Sequence, residues 1–469
     1  MKKPSFHNYF PALALAGALA LTGCNKASQT SSEQTAKSAA RPNSFQQVTK
    51  QLEPGGELYV YLSTEQWLGA LSSRVSNYRG LAESIPDLGP SERAAFGKAF
   101  DVLTNIIKDS GIENVSGFGM SSVVRETNCY HTKVVLHHYE GKDSGFFWEL
   151  CGRKPHALEC QNFLPASTAL AAFSDLDVAL AWSVLRKEAA QAGSPDVDDL
   201  LDQIPAKFEH ATGLKWDQVL ASLGGEFGFV MTLDDTRKIT LPLPGADAPV
   251  EMPEPGLMLV AKVKDDTIFN RIDKALASSG QAVVSSDKNG CNMRTVSVPL
   301  PLPIQLRPTV ATSGGYLFIA TTDALIQEAL AVKAGQKPGL KSTEEFKRLA
   351  ADIPSEGNHF SFLSQRFSRT MRDLKKGVLP MVAAAKGQGQ QMQWLDSLLT
   401  STNVPFSYSV SANTSAGWLM VCNGNKHPGK MLLVGAVVPV AVASAIAVPA
   451  IVKAQKKAAE AASSRASGG

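Results

Sequence analysis

A short apolar strand that leads through a polar residue into an amphipathic helix occurs three times, and this repeat constrains the fold more than any other feature of the chain. Apolar runs predict the strands, and apolar residues at helical spacing, such as Trp67, Leu71 and Val75, predict the helices. The predicted strands are residues 57–63, 168–174 and 359–364, and the predicted helices extend from 64 to about 75, from 175 to about 191 and from 365 to about 376.

Polar residues at the start of each predicted helix favour capped N-termini. Ser63 with Gln66, and Ser174 with Asp177, have the spacing of a capping box. In that motif the hydroxyl accepts a backbone N–H and the later side chain reaches back. Ser364 has no partner at this spacing, so only a simple hydroxyl cap is predicted there.

A strand-rich section follows each helix. In the first section, residues 132–137 and 146–150 alternate in polarity around a turn-forming segment, which predicts a β-hairpin. Strands that follow strands closely argue against a doubly wound parallel sheet. The expected fold class is therefore α+β, with antiparallel sheets and helices packed on one face. The other predicted strands are 117–124, 227–231, 257–261, 316–320, 406–410 and 417–421, and 316–320 leads into a fourth helix at 323–330.

These patterns divide the chain into segments. Three α+β units are predicted at 51–164, at 165–345 and, as a partial copy, at 346–425. A signal peptide at 1–23 and a flexible tether at 24–50 precede them. The tether is polar and nearly free of large apolar groups, so it cannot bury enough surface to fold. A transmembrane helix at 431–452 and a basic tail at 453–469 follow the units.

The N-terminus has the parts of an export signal in their usual order. Lys2 and Lys3 form a positive start, and the apolar residues 10–21 are too few for an ordinary membrane span. The motif LTGC at 21–24 resembles the lipobox of bacterial lipoproteins. This resemblance implies that the chain is cut before Cys24 and that Cys24 carries diacylglycerol as a membrane anchor. The alternative is an ordinary secretory signal that happens to contain a cysteine.

The C-terminal span bears on which membrane holds the protein. Residues 431–452 carry no charge, and as a helix they would be about 33 Å long, enough to cross a bilayer. Basic residues are concentrated after the span, which predicts a cytoplasmic tail. A helix held in the inner membrane would prevent delivery to the outer membrane. The predicted location is therefore the periplasmic face of the inner membrane. The alternatives are the outer membrane, or a lipid in one membrane and the helix in the other. A buried core helix or a surface hairpin could also replace the span.

Composition bears on partners and on the cysteines. Without the signal peptide the chain has 44 basic and 43 acidic residues, a balance that argues against a nucleic-acid partner attracted by bulk charge. Cys151 and Cys160 flank a short loop and are a candidate disulfide in an oxidising periplasm. The pairing of Cys129, Cys291 and Cys422 stays open.

One group of side chains has some resemblance to a metal-binding set. Cys129, His131 and His137 share strand parity, so one sheet face could present all three, and His156 is near in sequence. A polar sheet face with hydrogen-bonded histidines explains the same pattern without a metal. No metal site is therefore predicted.

Other motifs have structural explanations that are simpler than functional ones. Residues 143–145 (DSG) have the composition of a turn, and the acidic residues between 196 and 202 lack the spacing of a calcium-binding loop. Glu226 follows two glycines that could present it functionally, or that simply end a helix and start a strand. The LPLP arms at 241–244 and 300–303 could recruit a partner or protect a sheet edge. No catalytic or cofactor-binding motif is found.

A family resemblance rests on three stretches in the second and third units. They are ATGLKWDQVLASLGGEFGF at 211–229, SGGYLFIATTDALIQEAL at 313–330 and PSEGNHFSFLS at 354–364. From about residue 165 to residue 376 the chain resembles a family of bacterial exported proteins known only as a domain of unknown function. The resemblance implies a fold and carries no activity with it.

Together these features favour a noncatalytic protein of the cell envelope. It would be held at a membrane through Cys24 and residues 431–452, and would act as a scaffold or interaction module for another envelope protein. One alternative is a carrier of an apolar ligand, such as a lipid or a cell-wall precursor, enclosed between sheet and helices. Another is an uncharacterised hydrolase, which converging carboxylates or a cysteine of lowered pKa would support.

Overall fold

The computed structural model describes residues 43–83, 89–193, 195–241, 250–288, 290–297, 306–384 and 404–425. Within these residues, thirteen strands form one antiparallel sheet and two short strands form a separate pair. Helices pack against this sheet. A large antiparallel sheet combined with helices confirms the predicted α+β class.

The first part of the folded body forms one edge of the sheet. Asn128, with φ 61°, lies in the tight turn between two of its strands, a conformation that asparagine tolerates better than most residues. The elements are α1 (Phe45–Thr49), β1 (Leu58–Ser63), α2 (Glu65–Leu68), α3 (Leu71–Glu83), α4 (Pro90–Ser110), a 3₁₀ helix (Ile112–Asn114), β2 (Gly117–Glu126), β3 (Cys129–His137) and α5 (Phe146–Glu149).

The middle part contributes the other edge and most of the strands. Its elements are β4 (His156–Ala157), a 3₁₀ helix (Glu159–Phe163), β5 (Thr168–Asp175), α6 (Val178–Ala192), α7 (Pro195–Thr212), α8 (Trp216–Ser222), β6 (Leu223–Leu241), β7 (Val250–Val263), α9 (Thr267–Ser278), β8 (Val283–Lys288), β9 (Cys291–Val296), β10 (Thr309–Ser313), β11 (Tyr316–Ala320), α10 (Asp323–Lys333) and a 3₁₀ helix (Leu340–Ser342).

The last described part lies in the centre of the sheet. Its elements are α11 (Glu344–Ala350), β12 (Glu356–Gly357), β13 (His359–Leu363), α12 (Gln365–Ala384), β14 (Ser407–Thr414) and β15 (Gly417–Gly424). The sheet order is β1-β2-β3-β15-β14-β13-β5-β6-β7-β11-β10-β9-β8.

The sheet contains the same arrangement three times. In each of β1-β2-β3, β5-β6-β7 and β13-β14-β15, a strand is followed by helix and then by two antiparallel strands, and the three strands pair in chain order. The third run is inserted between the other two, because β15 pairs with β3 and β13 pairs with β5. The three copies expected from sequence thus share one sheet, and pairings between residues far apart in sequence join them.

The main core lies on one face of this sheet. Buried side chains of the central strands, including Val260, Phe318 and Phe360, pack beneath α10 and α11, which contribute Ile326 and Leu349. Helices also reach the opposite face, where Trp148 joins a cluster against Leu136 and Trp418 and α9 joins another. The expectation of helices on one face only is therefore wrong. The cause is that β3, β7 and β11 carry apolar residues on both faces, and helices pack against part of each face.

Residues 146–150 do not form the predicted hairpin with 132–137. They form α5, while β3 pairs with β2 and β15. Trp148 explains the difference: it is buried against Leu68 and Val115, and its indole N–H donates to the carbonyl of Gly111 at 3.0 Å. A buried indole with a satisfied N–H anchors this segment as a helical turn in place of a strand.

The predicted caps are correct at one helix and displaced at another. The hydroxyl of Ser364 accepts the N–H of Phe367 at 3.1 Å, as predicted. The cap of α6 is the carboxylate of Asp177, which accepts the N–H of Leu180 at 2.8 Å. Because β5 continues through Asp175, the helix begins three residues later than a cap at Ser174 would require. The helix after β1 begins without a side-chain cap bond.

The folded body begins inside the segment predicted as tether. The helix α1 lies within residues 24–50, and its Val48 is completely buried against Leu52 and Val135. The described part of the chain contains no helix long and apolar enough to cross a membrane. The predicted span at 431–452, the basic tail at 453–469 and Cys24 lie outside the described residues.

Candidate functional site

An apolar surface at the centre of the sheet is the strongest candidate for a binding site. Opposite residues in neighbouring strands project from the same face, so pairing registers identify which side chains adjoin. Phe229 pairs with Leu259, Leu259 pairs with Ile319, and Met231 pairs with Leu257. We call the surface made by these five residues the central sheet face.

The central sheet face is exposed although its residues are apolar. Leu259, Ile319 and Leu257 expose 54, 44 and 38 % of their surface. On the reverse side of the same strands, Met258 and Val260 are buried in the main core. Strands with apolar residues on both sides usually have both faces covered, so the exposed face of β7 and β11 is an unusual feature.

Helices border this surface at both ends of the strands. Phe269 of α9 packs on Val263 and Leu317, which lie two or more residues beyond Leu259 and Ile319 on the same face. Phe367 of α12 packs at the opposite end, against a cluster that includes Leu233. Within the described residues, Phe229, Met231 and Leu259 belong to neither of the buried clusters that α9 and α12 form with the sheet. The central sheet face is therefore an apolar floor between two helical borders.

Glu226, one of the candidates from sequence, is a buried structural carboxylate. Helix α8 ends at Ser222, and Gly225, with φ 84°, lies within the first residues of β6, as the simpler interpretation predicted. Glu226 is 5 % exposed and accepts a hydrogen bond from the hydroxyl of Tyr316 at 3.1 Å. Burial first, and then the charge of Glu226, raise the pKa of Tyr316 and of Cys160. Contacts of Glu226 thus join β6 to β11 and to the 3₁₀ helix that contains Cys160.

His156 pairs with a carboxylate and does not join the other histidines. Its Nε2 lies 3.0 Å from both carboxylate oxygens of Asp175, and the amide of Asn358 donates to the same carboxylate at 2.9 Å. Burial lowers the pKa of His156, but the bond to Asp175 outweighs this effect and the net pKa is raised. A side chain at Gly152 would collide with Asp175 and Asn358, so glycine is required beside this junction between β4, β5 and β13.

The set of Cys129, His131 and His137 is not brought together. The Nδ1 of His131 lies 2.7 Å from the amide oxygen of Asn423, whereas the Nδ1 of His137 lies 2.7 Å from the hydroxyl of Ser116. Each histidine of β3 thus has its own partner, that of His131 on β15 and that of His137 just before β2, as in a hydrogen-bonded sheet face. Among the described residues, no group of three or more potential ligands is placed to hold a metal.

The other motifs remain structural or fall outside the described residues. The DSG segment precedes α5, with Gly145 at φ 117°. In the acidic cluster, Asp202 is exposed and forms an ion pair with Arg186, as expected of a solvated helix face. In the LPLP arms, 242–244 and 300–303 lie outside the described residues.

The candidate disulfide between Cys151 and Cys160 is not formed. Cys151 is an exposed thiol just after α5, whereas Cys160 is completely buried in a 3₁₀ helix that packs into the main core. Their environments separate them, because the core holds the second thiol against Glu226. Burial raises the pKa of Cys129 and Cys291 as well, and desolvation by nearby groups raises that of Cys151 although its residue is exposed, which keeps these thiols protonated at neutral pH.

Alkylation of the native protein without reductant is expected to modify Cys151 and to leave Cys160 unmodified. The exposed thiol is accessible and the buried one is not. Desolvation and the charge of Asp175 raise the pKa of Cys151, so its modification by iodoacetamide should be faster at pH 9 than at pH 7. Peptide mapping by mass spectrometry measures both sites, with urea-denatured protein as the control. Modification of Cys151 only after addition of a reductant would show that a disulfide exists.

The strands that form the central sheet face all lie in a region that matches a known protein family. The model of a family described as a protein of unknown function, DUF3352, matches residues 150–405, more than half of the chain. The chain belongs to the DUF3352 family. The match extends beyond the stretch from 165 to 376 on which the resemblance rested, and it includes β5 to β11 and β13.

Membership of the DUF3352 family defines no activity. The matched residues exclude β1 to β3 and the strands β14 and β15. No curated protein and no solved structure matches the chain significantly. The function must therefore be argued from the surface chemistry of this chain.

Proposed function

We propose that this DUF3352 protein is a noncatalytic interaction module of the cell envelope, and that it binds another envelope protein through the central sheet face. The observation that carries the proposal is the exposure of Leu257, Leu259 and Ile319 side by side on strands whose reverse side buries Met258, Val260 and Phe318. An exposed apolar patch in the middle of a sheet loses contact with water when a partner covers it, which favours association.

The lipid anchor would place this module at a membrane surface. Residues 24–42 separate Cys24 from the first described residue, and a fully extended chain of that length reaches roughly 60 Å. Diacylglycerol on Cys24, with residues 431–452 as a second membrane contact, would hold the body on the periplasmic face of the inner membrane. Anchoring in the outer membrane is the alternative. Both rest on the lipobox and on the distribution of basic residues.

A carrier of an apolar ligand is the second candidate function. Phe229, Met231 and Leu259 form a floor that is as suitable for an acyl chain as for an apolar protein surface. The two candidates differ in what contacts Leu259 in the cell. A protein partner would be a single macromolecule, whereas a carried ligand would be a lipid of small mass.

Photocrosslinking in living cells tests the proposal on the full-length protein. A benzoyl-phenylalanine at Leu259 is expected to give one discrete protein adduct, because this residue is at the centre of the surface. The matched control is the same substitution at Val284, which is 56 % exposed on the edge strand β8. The adduct is identified by mass spectrometry.

A charge placed in the surface should abolish the contact. Ile319→Lys is expected to reduce the Leu259 adduct at least about tenfold, because a buried unpaired ammonium at an interface costs more than about 1.4 kcal/mol. Val284→Lys should leave the adduct unchanged. A lipid adduct at Leu259 would replace the proposal with the carrier function. Equal adducts at Leu259 and Val284, or none at either, would contradict both.

A further inference from the structure

A small acidic pocket lies where the ends of α4, α5 and α6 meet. Its volume is about 250 Å³. Its lining combines the acidic residues Asp109, Glu149 and Glu188 with the apolar residues Phe146, Leu180 and Val184. We call this site the acidic pocket; it shares none of its residues with the central sheet face.

Glu188 is the unusual group in the acidic pocket. It is 1 % exposed, and neither of its carboxylate oxygens has a hydrogen-bond donor. A buried carboxylate normally accepts hydrogen bonds or forms an ion pair, since burial of the charged form without a partner is strongly unfavourable. The group that faces it is another carboxylate, that of Asp109. The pocket thus contains an acid that lacks a cation.

The charged groups nearest to Glu188 form ion pairs with other residues. On α5, Glu149 pairs with Arg153 at 2.6 Å. On α6, Lys187 is 55 % exposed and pairs with Asp109 at 2.6 Å. Lys187 and, on α4, Lys108 are the cations that act on the Asp109 carboxylate, and Lys187 alone acts on Glu188. Lys187 is therefore an exposed ammonium at the rim, which a ligand cation could displace.

Helix ends add to the negative potential. Asp109 lies in the last turn of α4, which ends at Ser110, and Glu188 lies near the end of α6, at Ala192. Unsatisfied carbonyl groups make a helix C-terminus negative, which favours cations there and disfavours carboxylates. Two carboxylates placed at two such ends lower stability unless a proton or another cation joins them.

Glu188 is protonated at higher pH than an ordinary glutamate. Burial first, and then Asp109, raise the pKa of Glu188 to about 7. Burial opposes the ionisation of Asp109 too, but hydrogen bonds with Lys187 and Glu188 lower its pKa overall. A protonated Glu188 can donate to the Asp109 carboxylate, whereas an ionised Glu188 faces that carboxylate without a donor.

The composition of the walls identifies the class of cation. No group of three or more potential ligands among the described residues is placed to hold a metal ion. Phe146, Leu180 and Val184 would instead contact a short alkyl chain. We propose that the acidic pocket binds an alkylammonium group, whose ammonium lies between Asp109 and Glu188 and whose chain packs on the apolar wall. Binding displaces the proton of Glu188 and the ammonium of Lys187.

Calorimetric titration of the detergent-solubilised full-length protein with 1,5-diaminopentane tests this proposal. Affinity is expected to rise about tenfold between pH 6 and pH 8, because Glu188 ionises across this range. At pH 6, titrations in two buffers of different ionisation enthalpy should show release of about one proton per ligand. Pentane-1,5-diol, the uncharged analogue, should not bind.

Conservative variants distinguish this site from general surface charge. Glu188→Gln is expected to eliminate proton release and to weaken binding more than tenfold, and Asp109→Asn should weaken it as well. Asp202→Asn removes an exposed carboxylate that pairs with Arg186, and should change neither quantity. Unchanged binding in Glu188→Gln would overturn the proposal. Binding of calcium or magnesium without binding of the diamine would also overturn it.

Discussion

Replacement of Phe360 by alanine is expected to lower the free energy of unfolding by about 3–5 kcal/mol. Phe360 is completely buried, and its ring stacks on Phe173 with centroids 5.2 Å apart and planes 13° apart. Its strand β13 joins the third strand run to β5 of the second. The cavity would therefore open at the joint on which the continuous sheet depends.

Chemical denaturation followed by circular dichroism measures this loss. A loss of this size is a large part of the 5–15 kcal/mol that typically stabilises a domain. Phe45→Ala is the matched control, because Phe45 is 48 % exposed and its loss should cost less than about 1 kcal/mol. Equal effects of the two substitutions would contradict the placement of the core.

The substitution Glu188→Gln is expected to stabilise the protein at pH 8 by about 1–3 kcal/mol. The folded pKa of Glu188 is about 7 against an ordinary value of 4.5, which corresponds to a cost of at most about 3 kcal/mol once the group is ionised. Glutamine keeps the shape of the neutral acid and can donate to Asp109. It therefore removes the cost of ionisation without opening a cavity.

The direction of the pH dependence follows from the raised pKa. Below about pH 4.5 the carboxyl is protonated in both the folded and the unfolded states, so the variant and the wild type should be equally stable. Between pH 4.5 and 7 the wild type loses stability as the unfolded chain ionises first. Asp109 affects the stability of the fold at lower pH. Its lowered pKa stabilises the folded state above pH 3.8, the ordinary pKa of aspartate, and this contribution is lost as the pH falls below that value.

Thermal unfolding of both proteins from pH 4 to pH 8 measures the difference. Asp202→Asn is the matched control, since its exposed carboxylate should give a difference that does not grow between pH 5 and pH 7. A variant less stable than the wild type at pH 8 would show that the ionised carboxylate of Glu188 has a favourable partner in the folded protein.

Local sequence determined the strands and the helices that follow them. Residues 168–174 and 359–364 form β5 and β13 within one residue of their predicted ends, and the hydroxyl of Ser364 caps α12 as predicted. These features depend on the alternation of apolar residues and on bonds between near neighbours, which a single sequence contains. The α+β class follows from the same patterns.

Tertiary structure decided the elements whose local pattern was ambiguous. Residues 146–150 alternate like a strand, but burial of Trp148 and its bond to Gly111 make them a helix. The helix α1 forms in a segment too polar to fold alone, because Val48 finds a complementary surface on β3. In both cases a contact far away in sequence outweighs the local preference.

The two candidate sites also combine features visible in the sequence with features that depend on tertiary structure. Glu188 follows Val184 and Leu185 at helical spacing, so a charged residue on an apolar helix face was visible in the sequence, but its unpaired state depends on Asp109 from another helix. The apolar run at 257–261 predicted a strand. Only the order of the sheet decided that Leu259 would be exposed and Val260 buried. Whether a strand residue is exposed depends on what packs over that face of the sheet. The neighbours that form the face with Leu259, such as Ile319, are distant in the chain.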